Sequence, residues 1–265
     1  MTKSDVTTMQ DQSDPENAIV TAAMIVIGDE ILSGRTRDSN ANHLANVMTA
    51  IGIDLREVRF VADDSEAIVE AVNTLRARNT YVFTSGGIGP THDDITADAV
   101  GAAFGLPVEK DDRAMRAMEA HYKGRGQDFT EARQRMARMP EGAGLIDNPI
   151  SKAPGFVIGN VHVMAGVPAI FEAMLDNVVP TLRTGRKLLS TSVHCPFGEG
   201  TIGAPLAEIQ TNHPNAIIGS YPAFEEGAFW TEIVIRSGDE DALRAAAADV
   251  ELLVDRLKEE AREPS

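Results

Sequence analysis

Residues 84–96 read Thr-Ser-Gly-Gly-Ile-Gly-Pro-Thr-His-Asp-Asp-Ile-Thr. Glycines at 86, 87 and 89 let a backbone take positive φ and approach a ligand with no Cβ in the way. Pro90 fixes the turn, and Thr84, Ser85 and Thr91 add hydroxyl donors. A helix beginning just after such a turn presents free amides and the positive end of its dipole. Together these make an anion site; the competing reading is a tight structural strand-to-helix turn. The flanking Thr-Ser and the Thr-His-Asp-Asp-Ile-Thr tail favour a site for a phosphate-bearing small molecule. The segment lacks the Gly-Lys-Ser/Thr ending of a P-loop and does not fit the dinucleotide fingerprint.

Carboxylates gather in three loops: Gly28-Asp29-Glu30, followed by Thr36, Asp38 and Asn40; Asp63-Asp64; and His92-Asp93-Asp94. Unpaired carboxylates at one edge of a sheet repel one another. A divalent cation such as Mg²⁺ relieves that repulsion and favours a few carboxylates plus phosphate oxygens. Asp29, Glu30, Asp63 and Asp94 are the expected ligands, direct or through water. For Asp64 a place at the cation and a plain role as solvated loop charge or helix cap are equally open. His92 is a ligand, a proton shuttle or an ordinary loop residue. Asn148-Pro149 and Ala153-Pro154-Gly155-Phe156 bracket Ser151 and Lys152. That loop either covers the ligand, with Lys152 meeting phosphate, or is a rigid surface turn.

The chain has 265 residues, 40 Asp and Glu against 24 Lys and Arg, and a net charge of −16. Such a surface repels a phosphate backbone, so no nucleic-acid partner is expected. A small anion must be held by local amides, dipoles or bound cations. Cys195 is the only cysteine, which excludes an internal disulfide and fits a reducing compartment, the cytoplasm. No apolar run approaches the roughly 18 residues that span a bilayer. The segment from Met1 to Asn17 is polar, lacks a signal-peptide pattern and reads as a disordered tail.

The elements that position these loops alternate. An apolar run at 18–28 suits a parallel strand buried on both faces. A helix is expected at 40–50, a strand at 53–61, a helix capped by Ser65, a strand at 80–84 and a helix from Asp94 through Phe104. This order predicts a doubly wound α/β sheet, with ligands beyond the carboxyl ends of its strands. Helices at 111–123 and 128–138 follow, then a hairpin turning at Gly159-Asn160 and a helix through Val178. The first domain is expected at 18–183. After a break at 180–187, strand, helix, strand, strand and helix predict a small α+β domain at 187–262. In it, Gly200-Thr201-Ile202-Gly203 resembles the Gly-x-x-Gly loop of KH modules. Glu199 and the acidic chain argue against RNA, so the loop is read as structural or interfacial.

Gly28-Asp29-Glu30-Ile31-Leu32, Ser39-Asn40-Ala41-Asn42, Thr84 to Thr96, Asn148-Pro149, Ala153-Pro154-Gly155-Phe156 and Gly166-Val167-Pro168 occur in the order of a known family. The chain resembles the competence/damage-inducible protein A family, whose first domain is of the molybdopterin-binding, MoaB/Mog type. The resemblance implies a KH-like second domain and homo-oligomers, dimers or trimers. It implies a metal-dependent pyrophosphatase acting on ADP-ribose, or on FAD as in some FAD synthases. Asp94 matches the acidic residue of the glycine-turn motif, and Asp63 the one after the second strand. Asp94, Asp63 and Glu30 are thus the candidate catalytic carboxylates. Gly86, Gly87, Gly89, Pro90, Thr91, Thr84, Ser85, Asn40, Lys152 and Gly155 are the candidate ligand-binding residues. The alternatives are a molybdopterin-binding protein without hydrolytic activity, or a regulatory scaffold. Family members often add an amidase domain for nicotinamide mononucleotide; this chain ends at Ser265, and that activity is expected to be absent. The family's usual Gly-Thr before Ala-Pro-Gly is Ser151-Lys152 here, which makes Lys152 a candidate for specificity.

Overall fold

The computed structural model describes residues 19–225 and 228–262. The expected tail at 1–17 lies outside the described residues. The chain divides into two compact units, one ending at Gly185 and the other beginning at Arg186.

The first unit runs β1 (Val20–Ile27), a single turn α1 (Asp29–Leu32), α2 (Asn40–Ala50), β2 (Ile53–Val61), α3 (Ser65–Arg76), β3 (Tyr81–Ser85) and α4 (Thr96–Phe104). It continues with β4 (Val108–Lys110), α5 (Asp112–Gly124), α6 (Glu131–Arg135), β5 (Arg138–Pro140), β6 (Gly144–Ile146), β7 (Gly155–Ile158), β8 (Val161–Met164) and α7 (Pro168–Val178). The main sheet has the order β2-β1-β3-β8-β7-β6. The first four strands are parallel, and β7 and β6 add antiparallel neighbours.

Every residue of β1 is buried, because helices cover both faces of the sheet. Ala23, Ile25 and Ile27 pack with Ile68, Val72 and Leu75 of α3 and with Val100 of α4. Ala22, Met24 and Val26 pack with Leu44 and Met48 of α2 and with Phe171 and Leu175 of α7. The two-residue side-chain period of a strand sends its apolar residues to the two cores by turns.

Three local expectations change. The cap of α3 is Asp64, whose carboxylate accepts the Ala67 amide at 2.8 Å; Ser65 is the first helical residue. The helix expected at 128–138 is only α6, because Arg138–Pro140 leaves it to pair with β4. α4 begins at Thr96 rather than Asp94, since Asp94 is used in a turn of its own.

The second unit runs β9 (Leu189–Cys195), α8 (Glu199–Asn212), β10 (Ile217–Glu225), β11 (Ala228–Ser237) and α9 (Glu240–Glu260). Its antiparallel sheet has the order β10-β11-β9, and Cys195, Ile202, Ile233, Val250 and Leu253 share its core. α8 starts at Glu199, so Gly200 and Gly203 lie in its first turns. No described helix is long and apolar enough to cross a membrane.

His162 of β8 is 7% exposed and stacks on Phe83 at 5.2 Å. Burial pushes its imidazole down to about 4 from 6.5. Between those values the unfolded chain binds a proton that the folded chain does not. Stability therefore falls as pH falls through this window, by up to about 1.4 kcal/mol per pH unit from this group. His162→Phe, which keeps a stacked ring, is expected to flatten the slope in urea unfolding followed across the window.

Candidate functional site

The strand order reverses at β1, with β2 on one side and β3 on the other. In parallel sheets the crevice beyond such a reversal is where ligands bind. Two loops flank it: the one leaving β1 at Gly28, and the glycine turn leaving β3 at Ser85. They abut at Gly86, which sits at φ 107°, and a Cβ there would lie 2.1 Å from the Ile27 carbonyl oxygen. At Gly87, φ 66°, a Cβ would lie 2.1 Å from Oγ1 of Thr96. Thr96 in turn donates its amide to the Gly87 carbonyl at 3.0 Å and its hydroxyl to the Gly86 carbonyl at 3.1 Å. Asn40, buried at the start of α2, ties the arrangement together. Its Nδ2 donates to Ser85 Oγ at 2.7 Å and to the Gly166 carbonyl at 2.8 Å.

Asp94 closes the turn on itself. Its Oδ2 accepts the Thr91 amide at 2.8 Å and the Thr91 hydroxyl at 2.6 Å. Among the described residues nothing accepts from the amides of Gly87, Ile88 or Gly89. Successive unpaired amides in a left-handed turn form an anion-binding concavity. These residues line a cavity of about 530 Å³. Glu30 and Asp94 are its carboxylates, and its apolar side includes Ile88, Tyr122, Met136, Val167 and Ile170.

Residues 23–184 match the family described as a probable molybdopterin binding domain. The chain belongs to that family. Residues 187–261 match the middle domain of FAD synthase. A protein of Pyrobaculum arsenaticum is 34% identical over 250 residues, which cover 89% of this chain and 94% of that one. A CinA-like protein of Desulfosudis oleivorans is 34% identical over 77% of this chain; the match spans 52% of that relative's length. The crystal structure of CinA, of unknown function, from Thermoplasma acidophilum superposes with a TM-score of 0.57 at 34% identity, covering 62% of this chain and 98% of that one.

The molybdopterin-binding fold brings only part of the expected residue set into the cavity. Gly86, Gly87, Gly89, Pro90, Asp94 and Glu30 line it. Thr84 and Ser85 do not offer hydroxyls to it: both are buried in β3, and Ser85 is engaged by Asn40. Thr91 is spent on Asp94. Asn40 is a buried tie between loops. Lys152 stands at φ 61° and its ammonium lies 3.8 Å from Asp147, outside the cavity lining. Gly155 is packed against β8, where a Cβ would lie 2.3 Å from the Val163 carbonyl oxygen. The exposed His92 lies 3.9 Å from Asp93 and is also outside the lining.

Asp29 and Asp63 sit beside the cavity, where the Asp29 amide donates to Asp63 Oδ2 at 3.0 Å. Burial, and then the charges of Asp29, Glu30 and Asp93, push the Asp63 carboxyl above the usual carboxylate range against that hydrogen bond. Among the described residues no three His, Cys, Asp or Glu side chains form a ligand set for a metal ion. The four-carboxylate set expected from the sequence is therefore not assembled. The donors present fit a looser site, one or two carboxylates completed by ligand phosphate oxygens.

Tyr122 and Met136 reach the cavity from the segment between β3 and β8. Tyr122 is held by Phe129, stacked at 5.7 Å, and by Arg133, whose guanidinium carbon lies 4.3 Å from the ring centre. The Tyr-x₆-Phe-x₃-Arg spacing across the Gly124–Gly126 break is the sequence signal for this cluster.

Two outcomes follow. Asn40→Ala leaves Ser85 Oγ and the Gly166 carbonyl without their donor and is expected to cost roughly 1–3 kcal/mol in urea unfolding. For Asp63, a raised folded-state pKa means that its stabilising contribution is present at low pH and is lost as pH rises through that value. Asp63→Asn keeps the acceptor for the Asp29 amide, so it is expected to raise the melting temperature at neutral pH in chelator and to leave it unchanged at acid pH.

Proposed function

We propose that the cavity binds a phosphate-bearing heterocyclic molecule and that the chain cleaves a diphosphate bond in it, as a metal-dependent pyrophosphatase of a nucleotide such as ADP-ribose or FAD. The carrying observation is the run of three unpaired amides, Gly87 to Gly89, in one cavity with the carboxylates Glu30 and Asp94. The amides take phosphate oxygens without adding a formal charge. The apolar side, with Tyr122 and Met136, takes the ring system and excludes water from it.

Glu30 and Asp94 would hold a divalent cation together with the phosphates, and the bound cation would offset charge on the leaving phosphate and acidify a water. Thr91 holds the Asp94 carboxylate in one rotamer, so its free oxygen has a defined direction. FAD earns its place among the substrates from the match of residues 187–261 to the FAD synthase middle domain.

A second reading is supported by the family match. In it the same cavity holds molybdopterin, without hydrolysis, and the amides carry the pterin phosphate.

The test is incubation of the full chain with ADP-ribose and FAD across a panel of divalent ions. Metal-dependent release of AMP is expected, reduced about 100-fold or more in Asp94→Asn and Glu30→Gln. Absence of cleavage with every ion overturns the hydrolase. Binding without cleavage, together with a pterin adduct in native mass spectrometry, favours the second reading. Unchanged cellular activity in Asp94→Asn favours a scaffold.

A further inference from the structure

The glycine turn contains no lysine or arginine, and the chain around it is acidic. Most cations nearby are already committed. Arg138 makes two hydrogen bonds to the Asp98 carboxylate, at 2.8 and 2.6 Å. Lys152 faces Asp147, and Arg133 lies over Tyr122.

Arg135, the last residue of α6, is different. Its Nη2 reaches only a main-chain acceptor, the Asp94 carbonyl, at 3.4 Å. Its Nε is buried and has no hydrogen-bond partner. Among the described residues no carboxylate comes within ion-pair distance of it. It lines a narrow cleft with Gly87, Ile88, Gly89 and Asp94, behind the turn that carries the unpaired amides. The free space there, about 10 Å³, is on the order of one water.

A guanidinium does not lose its proton in a protein, so it cannot escape the cost of burial by becoming neutral. A half-buried cation without a carboxylate is unfavourable unless another anion compensates it. Three unpaired donors and one unpaired cation meet at the same turn, in a chain with 40 acidic and 24 basic residues. All of them lack the same thing, which is an anion.

We infer that Arg135 is the fixed cation of the phosphate subsite, a positioning residue that acts across the glycine turn. Its hydrogen bond to the Asp94 carbonyl steadies the turn, and its charge deepens the positive potential at the amides of Gly87 to Gly89. It therefore favours a diphosphate over a monophosphate, because the more highly charged ligand gains more from the same field. This inference rests on the reading that the cavity takes a phosphate-bearing ligand.

The experiment is calorimetric titration of the full chain with inorganic pyrophosphate, inorganic phosphate and ADP-ribose at several salt concentrations. Wild type is compared with Arg135→Gln and Arg135→Lys, and thermal unfolding checks each variant. Arg135→Met keeps the apolar stem and removes the charge, and it replaces Arg135→Gln if that variant does not fold. The neutral variants are expected to bind pyrophosphate and ADP-ribose about tenfold more weakly or worse. They should also show a shallower salt dependence and a smaller preference for pyrophosphate over phosphate. Arg135→Lys should stay within about threefold of wild type, since the charge is kept. The inference falls if a folded neutral variant binds pyrophosphate as tightly as wild type, or if Arg135→Lys binds as poorly as the neutral variants. If wild type binds pyrophosphate but not ADP-ribose, the nucleotide reading fails while the role of Arg135 stands. If wild type binds neither, both fail.

Discussion

Everything at this site depends on how closely the backbone of Gly86 approaches the end of β1. A Cβ at Gly86 would lie 2.1 Å from the Ile27 carbonyl oxygen, and one at Gly166 would lie 3.2 Å from the Gly86 Cα. Three parallel strands, β1, β3 and β8, thus end within one cluster of backbone with no side chain between them. Asn40 spans that cluster, joining Ser85 to Gly166. The contact is a constraint on sequence, because only glycine meets the distance and the positive φ together. It is also the reason that the amides of Gly87 to Gly89 are unpaired. The chain must turn sharply away from Ile27, and a sharply turning backbone has no neighbouring strand to accept its hydrogen bonds.

The carboxylates divide by what the backbone does with them. Asp64 caps α3 and Asp94 closes the turn through Thr91, so both are committed to local main-chain donors. Glu30 and Asp94 face the cavity, while Asp29 and Asp63 meet beside it. Burial first, and then the charges of Asp29, Glu30 and Asp93, hold the Asp63 carboxyl above its ordinary range. Crowding carboxylates next to an anion site would be self-defeating unless positive charge is recruited there. The groups the structure places at the turn itself are the unpaired amides of Gly87 to Gly89 and the guanidinium of Arg135 behind them, both within a chain whose overall charge is negative.

The fold was largely legible because helices cover both faces of the sheet. A strand buried on both sides reads as a continuous apolar run, as at Val20–Ile27, and Gly159-Asn160 marks the hairpin between β7 and β8. The same double covering explains where the reading of side chains failed. Thr84 and Ser85 stand beside the glycine turn in sequence, which made them look like ligand donors. They belong to a central strand, however, and its side chains point into the two cores. Of the helix expected at 128–138 only Glu131–Arg135 forms, because no local signal announces the pairing of Arg138–Pro140 with β4, a contact made across almost thirty residues of intervening chain. Tyr122 and Met136 were missed for the same reason: they lie far from the glycine turn in sequence and reach the cavity only through tertiary packing.

The loop before β7 shows how a wall of the cavity is kept rigid. Lys152 occupies a left-handed conformation that glycine adopts more easily. Asn148 offsets that strain. It is 1% exposed; its Nδ2 donates to Ser151 Oγ and to the Ala153 carbonyl, and its Oδ1 accepts the amides of Ile150 and Ser151. Four hydrogen bonds from one buried side chain define the loop. Lys152 then turns its charge toward Asp147, and the loop presents neutral Ser151 and Ala153 to the cavity. A wall without charge discriminates ligands by shape, which leaves recognition of the phosphates to the glycine turn opposite.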